Sequence, residues 1–289
     1  MIDERVLNAL LLTGLGAAGT ALGGLIVVLQ PKMQFKRLGY LQGLAAGLML
    51  CISMLDLMPA AVEEVGFAAA NGWFFAGVAF FAAVVHFIPE PSSEGLQLDD
   101  EEDKAAAAAA GRKAADSAGT AAATSKKKDD GPRRVLLSGL ITAIGIALHN
   151  FPEGVAVFLA SMKSHAVGAS LAFAIALHNV PEGVAVALPV YFATGSRTRG
   201  FLYAATSGLA EPLAVVVLAV FFPTNLDRQL VEKLLAAVGG IMAFLSISEL
   251  LPLAFEHAGR QRAVISLFLG MAIMSANLYI LDHWLGHDH

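Results

Sequence analysis

Cysteine is almost missing from this chain. Cys51 is the one example in 289 residues, so neither an intrachain disulfide framework nor a thiolate metal cluster can form. Charge is scarce as well: Asp, Glu, Lys and Arg make up 15% of the residues, against about 25% in soluble domains, and 56% are apolar. An ordinary soluble globular protein is thereby excluded. The charge that exists is bunched, with 18 of the 43 charged side chains falling between Pro89 and Arg134. A net charge of −5 averages over opposing loops and gives no ground for a nucleic-acid partner, and none is expected.

What fills the chain instead is a series of apolar runs long enough to cross a bilayer, roughly 6–29, 38–62, 70–88, 135–160, 166–193, 199–222, 228–255 and 262–285. The expected fold is therefore all-α, a polytopic membrane protein with eight transmembrane helices. The first run is too long for a signal-peptide core and no small-residue cleavage site follows it, so it is expected to remain as a helix. The chain divides into helices one to three (1–88), a loop (89–134), helices four and five (135–193) and helices six to eight (194–289). Loop 89–134 runs from an acidic stretch (Asp99 to Asp103) through alanines (Ala105 to Ala110) to Lys126–Lys128, and contains no histidine. Without an apolar face to bury, it is expected to be disordered or only partly helical.

Basic residues accumulate on the cytoplasmic side of membrane proteins. The loops after helices one, three, five and seven hold 15 of the 19 Lys and Arg residues; the other side holds Arg5, Lys163, Arg228 and Lys233, and none is expected in the interior of a span. Both termini are thus expected to be extracytoplasmic or lumenal, with loop 89–134 cytoplasmic. The bilayer is the expected surrounding, with plasma membrane and endoplasmic reticulum both open.

Two segments nearly duplicate each other. Ile146-Ala-Leu-His-Asn-Phe-Pro-Glu-Gly-Val-Ala-Val157 and Ile175-Ala-Leu-His-Asn-Val-Pro-Glu-Gly-Val-Ala-Val186 are identical at eleven of twelve positions. Successive membrane helices run in opposite directions, so the copies meet head-to-tail near the bilayer centre, as in inverted repeats around a transport site. Within each copy, helical spacing puts His149 with Glu153, and His178 with Glu182, on one face, beside Asn150 and Asn179. Pro152 and Pro181 lack a backbone donor and are expected to free the carbonyls of Leu148 and Leu177. Helix six adds Glu211, helix two Asp56, and helix seven Glu249.

A charge left alone at the bilayer centre costs about 2.5–3.5 kcal/mol even on the lenient insertion scale. With no Lys or Arg in the interior of the spans, protons or bound cations must balance these five carboxylates. Imidazole beside carboxylate and amide oxygen favours a divalent metal, and the absence of thiolate suits Zn²⁺, Fe²⁺, Mn²⁺ or Cd²⁺ better than Cu⁺. Blander roles fit other residues: His86, His165 and His257 sit at span ends, and Gly19-xxx-Gly23 and Gly43-xxx-Gly47 read as close helix packing. No cofactor and no enzymatic activity are expected. The rival reading, an intramembrane zinc-dependent hydrolase with Ser53, Ser246 and Ser248 as polar neighbours, lacks a His-Glu-x-x-His motif and does not explain the duplication.

The paired His-Asn-x-Pro-Glu-Gly motifs, together with Gly43-Leu-Ala-Ala-Gly-Leu-Met-Leu50, Phe87-Ile-Pro-Glu-Pro91, Ser207-Gly-Leu-Ala-Glu-Pro212 and Ala237-Val-Gly-Gly-Ile-Met-Ala-Phe244, closely resemble the ZIP family of divalent-metal transporters. The likeness spans nearly the whole chain and is strongest to the ZupT-type branch and its plant and algal members. It implies a 3+2+3 inverted-repeat bundle and a binuclear metal site. By motif, His149, Glu153, His178 and Glu182 would form one site, and Asn150, Glu153, Asn179, Glu182 and Glu211 the other. Asp56 and Glu63 would line the entrance and Glu249 the exit, for zinc moving into the cytoplasm. Relatives usually read His-Glu-x-x-Pro where Ser248 precedes Glu249, and often carry histidine at the position of Asp56. Oligomeric state is left open, a homodimer included.

Overall fold

The computed structural model describes residues 3–30, 35–87, 131–222 and 226–285. Among these there is no strand. The elements are α1 (Glu4–Leu29), α2 (Phe35–Cys51), a π-helical turn (Ile52–Leu57), α3 (Met58–Val65), α4 (Phe67–Phe87), α5 (Gly131–Lys163) and α6 (His165–Thr194). They continue with α7 (Arg197–Gly208), α8 (Ala210–Phe221), α9 (Arg228–Leu245), a second π-helical turn (Ser246–Leu250), α10 (Leu251–Ala258) and α11 (Arg260–Leu285). Because α2 runs into α3, α7 into α8 and α9 into α10, the described residues form eight rods. Seven are long and apolar enough to cross a membrane. The remaining one, α5, has 33 residues, ample for a hydrocarbon core about 30 Å thick at about 1.5 Å per residue.

Local signals explain the boundaries. Asp3 accepts from the Arg5 N–H at 2.9 Å to start α1, Ser164 from Val167 at 3.2 Å to start α6, and Asp227 from Leu230 at 3.3 Å to start α9. The expectation for loop 89–134 falls outside the described residues up to 130, and α5 opens at Gly131, four residues ahead of the expected boundary. Leu11, Phe75, Val220, Ile265 and Phe268 are exposed, an outward apolar surface that water would not tolerate and lipid does.

The two π-helical turns are not visible as a periodicity in the sequence. In each, the residue before a proline donates its N–H five residues back: Met58 to Ser53, and Leu251 to Ser246. The wider turn absorbs one extra residue just where Pro59 or Pro252 cannot donate, so the rod continues rather than breaks. Each short helix then ends at a glycine with positive φ, Gly66 at 81° and Gly259 at 80°, a conformation that a side chain would strain. Ser53, Asp56, Pro59 and Gly66 thus match Ser246, Glu249, Pro252 and Gly259, at a constant spacing of 193 residues.

The same register governs packing. Gly47 lies against the Leu267 carbonyl and Gly270 against that of Leu44, joining α2 to α11; Gly240 lies against Phe74 and Gly77 against Ala237, joining α9 to α4. Each contact has its counterpart 193 positions away. The expected packing role of Gly19 and Gly23 is realised against Ala176 and Val180 of α6. Packing sorts the rods into two groups: α1, α5, α6, α7 and α8 lie against one another, and α2, α3, α4, α9, α10 and α11 form the other set. They meet where α2 crosses α6 and α9 crosses α5. At the latter crossing Lys163 pairs with Glu232, which is 2% exposed. Lys163, expected beyond the end of the fourth span, is the last residue of α5, and basic residues occupy the terminal turns of other helices as well, among them Arg5, Arg228 and Lys233.

Candidate metal centre

Both repeat segments stay helical through their prolines, so each copy presents His and Glu one turn apart on the same face. The antiparallel crossing of α5 and α6 then makes the contacts reciprocal. His178 Nε2 lies 2.8 Å from Glu153 Oε1, and His149 Nε2 lies 2.8 Å from Glu182 Oε1. Every histidine therefore reaches the glutamate of the other copy rather than its own, which the spacing within one helix did not reveal. Only the first of these contacts is an aligned hydrogen bond; Nε2 of His149 is close to its carboxylate without one.

Ligand atoms of His149, Glu153 and Glu182 all lie within 4.8 Å of one another. Glu249, on the second π-helical turn, brings Oε2 to 3.7 Å from His149 Nδ1, so it adjoins the cluster. Glu211, at the start of α8, accepts from Asn179 Nδ2 at 2.6 Å. The same nitrogen donates to the Gly16 carbonyl at 3.2 Å. Asn150 is fully buried, and neither of its amide atoms has a hydrogen-bond partner. The sequence reading's seven central candidates are accordingly all buried in α5, α6 and α8. Asp56 sits half-buried in the first π-helical turn, and Glu63 is exposed on α3. Ser248 Oγ turns back to the Phe244 carbonyl at 2.8 Å.

The unmatched atoms define what the cluster can do. Glu153 Oε2, Glu182 Oε2, Glu211 Oε2 and Asn179 Oδ1 are buried without a hydrogen-bond partner. Buried polar atoms are normally satisfied, and these four offer lone pairs and no proton. A cation satisfies several such oxygens at once. Oxygen and imidazole nitrogen without sulfur are the donor set of zinc and harder divalent ions. Gly16 is the contributor the sequence reading missed: its backbone carbonyl enters this network, and a carbonyl leaves no mark in a side-chain motif.

The comparisons with known proteins agree with this chemistry. The family model described as ZIP Zinc transporter matches residues 6–278. The chain belongs to the ZIP zinc transporter family. It is 53% identical over 281 residues to the zinc transporter ZTP29 of Arabidopsis thaliana, covering 97% of each chain. It is 43% identical over 318 residues to protein zntB of Dictyostelium discoideum, covering 99% of this chain and 86% of that one. To the zinc transporter ZupT of Clostridium perfringens it is 32% identical over 288 residues, 96% of this chain and 97% of the relative. As a ZIP protein with seven apolar rods long enough to span, it is an integral membrane metal transporter and not an enzyme. The hydrolase reading is set aside.

Proposed function

We propose that this ZIP protein carries Zn²⁺ into the cytoplasm, from outside the cell or from an organelle lumen, through a two-metal site at the middle of the membrane. The observation that carries the reading is the cluster of His149, Glu153 and Glu182 ligand atoms within 4.8 Å of one another, beside carboxylate oxygens with no protein partner. His149, Glu153, His178 and Glu182 hold the first ion. Asn150, Glu153, Asn179, Glu182 and Glu211 hold the second, with Glu153 and Glu182 bridging. Fe²⁺, Mn²⁺ and Cd²⁺ satisfy the same donors and are further candidate substrates.

The rods form a 3+2+3 inverted-repeat bundle in this reading, helices one to three repeated as six to eight around α5 and α6. It is supported by the matched turns at Asp56 and Glu249 and by glycine contacts that recur in the same register. Metal enters past Asp56 and Glu63, exchanges water for the central ligands and leaves past Glu249. The two packing groups rock against each other to expose the site to either side. Metal binding competes with protons for the histidine and glutamate ligands, so release is coupled to protonation.

Zinc-dependent fluorescence or radioactive zinc uptake in proteoliposomes tests the assignment. Glu182→Ala removes a bridging ligand and is expected to abolish uptake; flux equal to that of the unmodified protein would overturn the site.

A further inference from the structure

The first rod contributes more than packing. Gly16 is buried on α1, and a methyl group added there would overlap the carboxylate of Glu211, whose Oε2, Cδ and Oε1 are its three nearest neighbours. The backbone of Glu211 is approached from the opposite partner, by Gly154 of α5. One glycine therefore makes room for the side chain and another for the main chain of the same glutamate.

The Gly16 carbonyl also decides how the Asn179 amide is turned. Nδ2 donates to the Gly16 oxygen at 3.2 Å and to Glu211 Oε1 at 2.6 Å, which uses both amide hydrogens. The reversed amide would set oxygen against two acceptors. With the orientation fixed, Asn179 Oδ1 and Glu211 Oε2 are left over, buried and without hydrogen-bond partners.

We propose that Gly16 is a positioning residue for the second metal. Its missing side chain seats the Glu211 carboxylate, and its carbonyl holds the Asn179 amide so that one oxygen of each side chain remains for the ion. The inference rests on the two-metal reading. It separates the two ions at Gly16 itself, whose closest contacts are the Asn179 amide and the Glu211 carboxylate and not His149, Glu153, His178 or Glu182.

Zinc stoichiometry and affinity, measured by equilibrium dialysis with elemental analysis on the full chain in detergent, test it. The unmodified protein binds two Zn²⁺ and Glu211→Gln binds one. Gly16→Ala keeps the first ion and weakens the second by at least about tenfold, as loss of a positioning contact does. Because the overlap is with the carboxylate itself, shortening it by one methylene relieves the clash. Gly16→Ala/Glu211→Asp therefore binds the second ion more tightly than Gly16→Ala, and regains folded yield if the single variant loses it. A merely structural role for Gly16 would not give this rescue. Two ions bound to Gly16→Ala with unchanged affinity, or no rescue in the double variant, would overturn the proposal. One ion in both the unmodified protein and Glu211→Gln would instead remove the two-metal reading itself, two ions in both would remove Glu211 from the second site, and either result takes the proposal with it.

Discussion

Two kinds of buried carboxylate coexist in this protein, and their partners tell them apart. Glu232 is 2% exposed and pairs with an ammonium, that of Lys163. Glu153, Glu182 and Glu211 are as deeply buried, and their contacts are histidine and amide. A buried ion pair broken on one side leaves an uncompensated charge, which costs about 3–5 kcal/mol, whereas replacing both members by apolar residues is often neutral. Lys163→Met is accordingly expected to lower the unfolding temperature in detergent sharply, and Lys163→Met/Glu232→Leu to recover most of the loss. A double variant as unstable as the single one would refute this division. In the proposed site the central carboxylates should behave oppositely, with removal of one expected to lose transport before it loses stability.

These residues also mark what was legible in the chain alone. Two copies of His-Asn-x-Pro-Glu, with Glu211 added, led to all seven buried central candidates, because a carboxylate in an apolar run is costly enough to demand a reason. Glu232 escaped notice because it lies near a rod end, where a carboxylate is ordinarily solvated, and Lys163 counts in the sequence only as a loop charge because it follows an apolar run ending at 160. His257, read as interfacial, is partly buried and shares a hydrogen bond of 3.0 Å with Gln42. Contacts between copies, such as His149 with Glu182, depend on how two helices cross, and no spacing within one helix encodes that.

At the scale of the elements, the eight rods were largely readable and their interior irregularities were not. Apolar length identifies a span, but Ser53-Met-Leu-Asp-Leu-Met-Pro59 and Ser246-Ile-Ser-Glu-Leu-Leu-Pro252 become π-helical only because each proline removes a donor inside a rod that packing keeps continuous. The likeness of those two segments was the available signal. Glycine contacts carry the same internal repetition into packing, which yields a paired prediction. A methyl group at Gly77 would meet the backbone of Ala237, and one at Gly270 the backbone of Leu44. Backbone cannot swing aside, and overpacking costs about 1–3 kcal/mol. Gly77→Ala and Gly270→Ala should therefore destabilise the protein by similar amounts in thermal unfolding. Gly72, with nothing within 4 Å, is the control: Gly72→Ala gains helix propensity and should be neutral or slightly stabilising. A large drop at Gly72, or a drop at only one member of the pair, would contradict the packing described.

Over the whole molecule, the distribution of basic residues along the chain is the ground for the proposed orientation. Fifteen of the 19 basic residues belong to one side, and two of the four on the other are held by acids there: Lys163 by Glu232, and Arg228 by Glu64 at 3.0 Å. The basic side is retained in the cytoplasm during insertion. In the proposed orientation Asp56 is nearer the outer or lumenal surface and Glu249 nearer the cytoplasm, as the proposed route requires. Short epitope tags on both termini should react with a membrane-impermeant label in intact cells, or in lumen-out vesicles if the protein resides in an organelle. A tag inserted between Ala105 and Ala110 should react only after permeabilisation. The reverse pattern would leave the metal site intact but turn it around, so that Glu249 received the ion and Asp56 released it, and uptake would become export.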